Sequence, residues 1–205
     1  MNKYIWIPEI IEETSAGNKQ IALQSKLLMN RNIFLNGDIN NDSANFFIQQ
    51  LMYLEYESDE PINVLIDTPG GLVTSGLAIY DVIQDCKVPI NMVCIGTAAS
   101  MGAVILAGGQ KGRRYILPHS KCMIHEPLIS NGVGGSATSI HNISESILKT
   151  RDITNGILAK HTGKKLSQIN KATAFDNYMT ASEAVEFGIC DKVIKGLSEI
   201  NRKAG

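Results

Sequence analysis

The stretch Ile90-Asn91-Met92-Val93-Cys94-Ile95-Gly96-Thr97-Ala98-Ala99-Ser100-Met101-Gly102-Ala103-Val104-Ile105-Leu106-Ala107 decides the fold. Its first six residues form a mostly apolar run, Gly96 to Gly102 is rich in small side chains, and Val104 to Ala107 is apolar again. The pattern predicts a buried strand that turns sharply into a helix, with Ser100 at the bend. Ala98 and Gly102, two positions to either side, let the chain turn tightly without side-chain clash. The free N–H groups at the start of the helix, that of Met101 first, face incoming negative charge. An acyl-transfer nucleophile needs this environment, although a small-residue segment that merely allows close helix–strand packing carries the same pattern.

The same unit occurs upstream. Ile62 to Ile66 reads as a strand, Thr68-Pro69-Gly70-Gly71 as a turn, and the residues through Ala78, Ile79, Val82 and Ile83 as a helix. Before it, Gln20 to Asn30 reads as a short helix and Ile33-Phe34-Leu35 as a strand. A further helix has Asp42 as its N-cap and Phe47, Ile48, Leu51 and Leu54 along one face. Repeated strand–turn–helix units with near-continuous apolar strands predict an α/β fold with a mostly parallel sheet, whose active loops cluster at strand ends.

Downstream, Tyr115 to Leu117 and Cys122 to Ile124 are short strands separated by Pro118-His119-Ser120-Lys121. A glycine-rich loop, Asn131 to Gly135, leads into a helix of about 25 residues that reaches His161. Its stripe of Ile140, Ile143, Ile147, Ile153 and Ile157 reads as core, or as a contact with another subunit if the helix outruns its domain. Asp176 to Thr180, a helix over Ala181 to Phe187 and a strand near Ile189 to Val193 follow. The expected division is a flexible N-terminal arm or hairpin over 1–19, a body over 20–195 with a handle at about 126–161, and a polar, frayed tail over 196–205.

A chain of 205 residues suits one domain. With 19% charged residues and a net charge of −1, it has no basic excess to attract nucleic acid or an acidic membrane face. No run approaches the roughly 20 apolar residues of a membrane span, and Met1 to Pro8 is too short and too weakly basic to read as a signal peptide. Cys86, Cys94, Cys122 and Cys190 contain no C-x-x-C pair and three lie in apolar runs, which suggests buried reduced thiols and a cytoplasmic location.

A nucleophilic Ser100 needs a base and a group to orient that base. His125 is the preferred base because it ends an apolar strand where a sheet edge opens. His119 lies in a polar loop, and His141 and His161 read as solvated residues of the long helix. A metal cluster of His119, Cys122, His125 and Glu126 fails on strand parity: Cys122 points away from the face of His125. The same parity disfavours Cys122 as a nucleophile. For the orienting acid, Asp176 stands just before Tyr178-Met179-Thr180 and near no basic neighbour that would claim it, although a turn or cap role fits it as well, and Asp67 and Asp152 are alternatives. The N–H groups of Gly71 and Met101 are candidates to receive an oxyanion. The residues alone permit a serine hydrolase without requiring one.

Taken together, several blocks resemble the ClpP family, the proteolytic subunit of the Clp protease, over about residues 20 to 195. They are Asn32 to Leu35, Thr68 to Gly71, Gly96 to Gly102, Leu117 to Ser120, Met123 to Pro127, Asp176 to Ala181 and Glu183 to Gly188. The resemblance implies a crotonase-like α/β fold with a long protruding handle helix that interlocks two heptameric rings around a closed chamber. It implies Ser100 as nucleophile, His125 as base and Asp176 as acid, with Gly71 and Met101 as oxyanion donors. An extended, unfolded polypeptide would be held at Gly70, Leu72, Val73 and Pro127. No metal and no bound cofactor are implied. ATP would be used by a separate AAA+ unfoldase of the ClpX, ClpA or ClpC type, since no Walker A motif occurs.

Some positions depart from the family pattern. Asp67-Thr68 replace the usual Asn-Ser, Glu126 replaces Gln, and the loop Ile129 to Gly135 is about two residues longer. Ala174-Phe175 replace an acidic residue and an arginine that bridge the rings. Asn63, Leu65 and Asp85 replace aromatic residues of the unfoldase-docking cleft, where Tyr115 is retained. These differences suggest a second-type paralogue that assembles with another ClpP or an unusual unfoldase. The rival readings are a non-catalytic ring subunit, a crotonase-fold acyl-CoA enzyme and a viral prohead-type protease.

Overall fold

A computed structural model describes residues 8–15, 17–129 and 132–200. Residues 1–7 of the expected arm, Ser130 and Asn131 of the glycine-rich loop, and 201–205 of the tail lie outside the described residues. Two strands, β1 (Glu9–Thr14) and β2 (Gly17–Ala22), form an antiparallel hairpin in which Glu9 pairs with Ala22. Gln20 to Ala22 therefore belong to this hairpin, and helix α1 (Leu23–Met29) begins three residues later than the sequence pattern suggests. Lys26 of α1 ion-pairs with Glu12 of β1 and so ties the helix to the hairpin.

The body is built on a seven-stranded sheet. Strands β3 (Asn32–Asn36), β4 (Ile62–Thr68), β5 (Ile90–Ala99), β6 (Arg114–Ile116) and β9 (Lys192–Val193) lie side by side in that order, all parallel. The ten-residue β5 has two successive neighbours along the edge away from β4: Met92–Cys94 pair with β6, and Thr97–Ala99 pair with β7 (Lys121–Ile124). Strand β8 (Asn177–Thr180) then joins β7 antiparallel. This mixed α/β architecture, with seven α-helices among the described residues and a mostly parallel sheet, is the expected one of repeated strand–turn–helix units.

Alternation along the strands explains the layering. Ile33 and Leu35, Ile62, Val64 and Ile66, and Ile90, Met92 and Cys94 face one core. That core is closed by Phe47, Leu51 and Leu54 of α2 (Asn41–Glu57) and by Ile79 and Ile83 of α3 (Val73–Asp85). All seven residues of α4 (Met101–Ala107) are buried, as expected of a helix apolar on every side. On the other face, Leu65, Val93 and Ile194 form a smaller cluster against which Ile200 packs. Residues 195–200 thus fold back onto the body, with Lys192 paired to Glu199 at 2.9 Å.

Three further expectations change. The N-cap of α2 is Asn40, not Asp42: the Asn40 side chain accepts the Ser43 N–H while the Ser43 hydroxyl accepts the Asn40 N–H. Helix α5 (Ala137–Thr162) buries only Thr154, Asn155 and Leu158, so of the isoleucine stripe only Ile157, half-buried, packs against the core. Ile140 is 44% exposed and Ile153 52%. His161 is half-buried rather than solvated. Its Nε2 lies 2.9 Å from the Tyr80 hydroxyl, and burial, with the nearby Lys160 and Arg114 charges, holds its pKa below the usual value. No helix among the described residues is long and apolar enough to cross a membrane.

Candidate active site

Strand register assembles the site. In the parallel β5–β7 pair, Ala99 stands opposite Met123, and the next backbone N–H, that of Ser100, bonds the Met123 carbonyl at 2.8 Å. In the antiparallel β7–β8 pair, Ile124 stands opposite Asn177, so the following rung sets His125 across from Asp176. Side chains 25 and 51 residues apart in sequence are thereby brought together. His125 Nε2 is 2.9 Å from Ser100 Oγ, and His125 Nδ1 is 3.0 Å from Asp176 Oδ1.

Proton positions follow from the chemistry of the partners. An ionised carboxylate only accepts, so Nδ1 of a neutral His125 donates to Asp176, and Nε2 is left to accept the Ser100 hydroxyl proton. Ser100 itself has φ 53° and ψ −122°, a conformation uncommon for a residue with a side chain. This bend lets β5 end and α4 begin within one residue. The Ser100 carbonyl is occupied by the N–H groups of Ala103 and Val104, while its hydroxyl points to the histidine.

The acid and base are also braced from behind. The Glu126 N–H bonds the Thr173 carbonyl at 2.7 Å, and the Asn177 amide bonds the Ala172 carbonyl at 3.2 Å. Both carbonyls belong to α6 (Leu166–Thr173), which is fastened to α5 by the buried Asn155, bonded to Asn170 and the Thr173 hydroxyl. Asn155 Oδ1 has no partner among the described residues. Nothing in the local sequence pattern marks Asn155, because its role depends on α6 crossing the base of α5.

The N–H groups of Gly71 and Met101 meet no acceptor among the described residues, and both flank Ser100. Glycine is required on this loop. A Cβ at Gly70 would lie 2.6 Å from Ser100 Cβ, and one at Gly71 would lie 2.1 Å from the Ile39 carbonyl oxygen. The buried Thr68 sets the loop: its hydroxyl accepts the Gly70 N–H at 3.0 Å and donates to the Gly37 carbonyl at 2.5 Å.

The other candidate acids lie elsewhere. Asp67 Oδ1 accepts the Thr97 N–H at 2.8 Å where β4 and β5 slip register, and Asp152 sits on α5 beside Arg151. Cys122 is fully buried. A thiol hydrogen bond with Cys190 and burial, against a lowering contact with Cys94, push its pKa well above the ordinary value, which leaves it a poor nucleophile. Among the described residues no group of three or more His, Cys, Asp and Glu side chains is arranged to hold a metal ion.

A cleft of about 530 Å³ opens onto Ser100 and His125. Of the residues expected to hold substrate, Leu72, Val73 and Pro127 line it, whereas Gly70 lies behind, against Ser100. Leu128, in the segment after Pro127, lines it too, and so do Asp38, Ile39 and Asn40, which were not expected. The available signal was the position of Gly37 to Ile39 just past the C-terminal end of β3, since sites in parallel sheets gather at such ends. His119 instead borders a separate cavity of about 590 Å³ with Ile95, Leu117 and Leu197.

A family model described as Clp protease matches residues 15–196. The chain belongs to the Clp protease family. At family level it is therefore a ClpP-type serine peptidase, and the match takes in every element that carries the Ser100, His125 and Asp176 cluster. Clp proteases are ring-forming proteolytic subunits that work with AAA+ unfoldases. In this Clp protease, Asn63 and Leu65 are buried. Asn63 sits in an amide ladder, donating to Asn32 Oδ1 at 3.1 Å and accepting from Asn91 at 2.9 Å. Phe175 is 85% exposed.

Proposed function

We propose that this chain is a serine endopeptidase, the proteolytic subunit of a Clp-type ATP-dependent protease that degrades unfolded polypeptides inside a ring-shaped chamber. The observation that carries the reading is the continuous hydrogen-bonded line from Ser100 through His125 to Asp176, with two unpaired N–H groups beside the hydroxyl. Ser100 Oγ attacks the peptide carbonyl as His125 Nε2 takes its proton, and the oxyanion is received by the N–H groups of Gly71 and Met101. His125 then returns the proton to the leaving amine, which departs and leaves an acyl-serine. Water attacks the acyl group with His125 again as base, and Ser100 regains its proton when the acid product leaves.

Asp176 keeps the imidazole in the required tautomer and stabilises its charged form. The extended substrate pairs beside Leu72 and Val73 on one side and the segment after Pro127 on the other. The chain binds no cofactor. ATP is consumed by a partner AAA+ unfoldase, and copies of the chain, alone or with another ClpP, form stacked heptameric rings in the cytoplasm.

The test combines native mass with hydrolysis of a short fluorogenic peptide and labelling by a fluorophosphonate. The expected result is a ring-sized assembly that hydrolyses the peptide and takes up the label at Ser100, with both signals lost in Ser100→Ala. Hydrolysis that survives Ser100→Ala would refute the mechanism.

A further inference from the structure

The cleft beside Ser100 is lined by the aliphatic residues Leu72, Val73 and Leu128, and apart from His125 the one lining residue with an ionisable side chain among those described is Asp38. The segment that carries Asp38 is pinned on both sides. The Gly37 N–H bonds the Asp67 carbonyl at 3.0 Å, and the Ile39 N–H bonds the Gly70 carbonyl at 2.8 Å. Ile39 also forms a parallel bridge with Gly71. The backbone of Asp38 is thus held in fixed register with the N–H that faces the reacting carbonyl. Its own carbonyl accepts the Ser43 hydroxyl at 3.0 Å. The exposed side chain makes no hydrogen bond or ion pair among the described residues. The backbone from which this carboxylate extends is fixed in advance, and the carboxylate contributes to no internal contact, which suits a group that meets a ligand.

We propose that Asp38 selects a cationic side chain, Lys or Arg, on the bound peptide close to the scissile bond. This inference rests on the serine-peptidase reading above and names the substrate preference of that site. A lysine or arginine matches both features of the wall: its methylene stem lies along the aliphatic residues and its charged head meets the carboxylate. A glutamate in the same place is repelled. Because Asp38 is open to water, the preference is modest and falls with added salt.

The experiment uses the full chain and a fluorescent peptide series in which Lys, Leu or Glu is placed in turn at each of three positions on either side of the scissile bond. Binding is measured by anisotropy on Ser100→Ala protein, and hydrolysis on protein with Ser100 intact. At one position the Lys peptide should exceed the Leu peptide by about two- to fivefold in affinity and in kcat/KM. Asp38→Asn should erase that difference, read as the ratio of the Lys to the Leu peptide within each protein, and Asp38→Lys should reverse it in favour of Glu. Equal treatment of Lys, Leu and Glu at all positions, or a Lys preference that survives in Asp38→Asn, would overturn the inference. Absence of Ser100-dependent hydrolysis of the Leu peptide would instead overturn the peptidase reading, and the binding arm would still decide the role of Asp38.

Discussion

Asp176 orients His125 from a place that water reaches: its side chain is 55% exposed, against 15% for the histidine. In so open a setting its Coulombic effect is partly screened, and its larger contribution is to fix the tautomer. Asp176→Asn should therefore lose kcat by roughly 10²–10⁴, with KM within about threefold, because an amide N–H facing Nδ1 favours the tautomer whose Nε2 cannot accept from Ser100. Steady-state hydrolysis of the fluorogenic peptide checks this. Thr68 gives a second residue-scale test. Thr68→Val keeps the shape but leaves the Gly70 N–H without its acceptor, which should misplace the Gly71 donor and lower kcat by about 10–100-fold. Thr68→Ser restores the hydroxyl and should stay within about threefold of the parent. Local pattern could point to Ser100 and His125, since a bend between apolar runs and a strand end are both visible along the chain. It could not choose among Asp176, Asp67 and Asp152, because that choice depends on a rung joining residues 51 apart.

At the scale of elements, the strands were legible because β3, β4 and β5 are nearly continuous apolar runs buried on one or both faces. Boundaries set by side-chain reciprocity were not. Asn40 and Asp42 are both capping residues, and only the return bond from Ser43 selects the first. The buried Arg114 is another tie invisible to periodicity. Its guanidinium meets Asp191 at 2.6 and 2.9 Å and the carbonyls of Ala107 and His161, so that β6, β9, α4 and α5 share one ion pair. Burial raises the Asp191 pKa, but the bonds and charge of Arg114 outweigh it and hold the carboxyl below its ordinary value. A carboxyl depressed in the folded state contributes stability that is full above its unfolded pKa, near 3.9, and is lost as pH falls through the lower folded value. Asp191→Ala should cost about 3–5 kcal/mol at neutral pH, since it strands a buried guanidinium. The gap in stability between parent and variant should narrow below about pH 4, which urea denaturation across pH would measure.

For the whole molecule, the question is what covers α5. A 26-residue helix is roughly 39 Å long, and only Thr154, Asn155 and Leu158 near its C-terminal end are buried. Ile140, Leu148 and Ile153 are exposed along the remainder. An isolated helix is marginal in water and draws its stability from packing an apolar face, so a helix this long with its apolar side chains uncovered calls for a partner. The seven-stranded sheet already buries its own core without α5's first half, which places the need outside the protomer. We expect a second copy of the chain, meeting α5 with α5, to satisfy it symmetrically. Ile153→Asp and Ile140→Asp should each leave the melting temperature of the protomer body within a few degrees while lowering the native mass. Because α5 also fastens α6 behind Asp176, the smaller species should hydrolyse peptide more slowly than the parent assembly. Native mass spectrometry and peptidase rate on the same preparation test both steps. An unchanged mass in the double variant would mean that the exposed isoleucines are not the contact between copies.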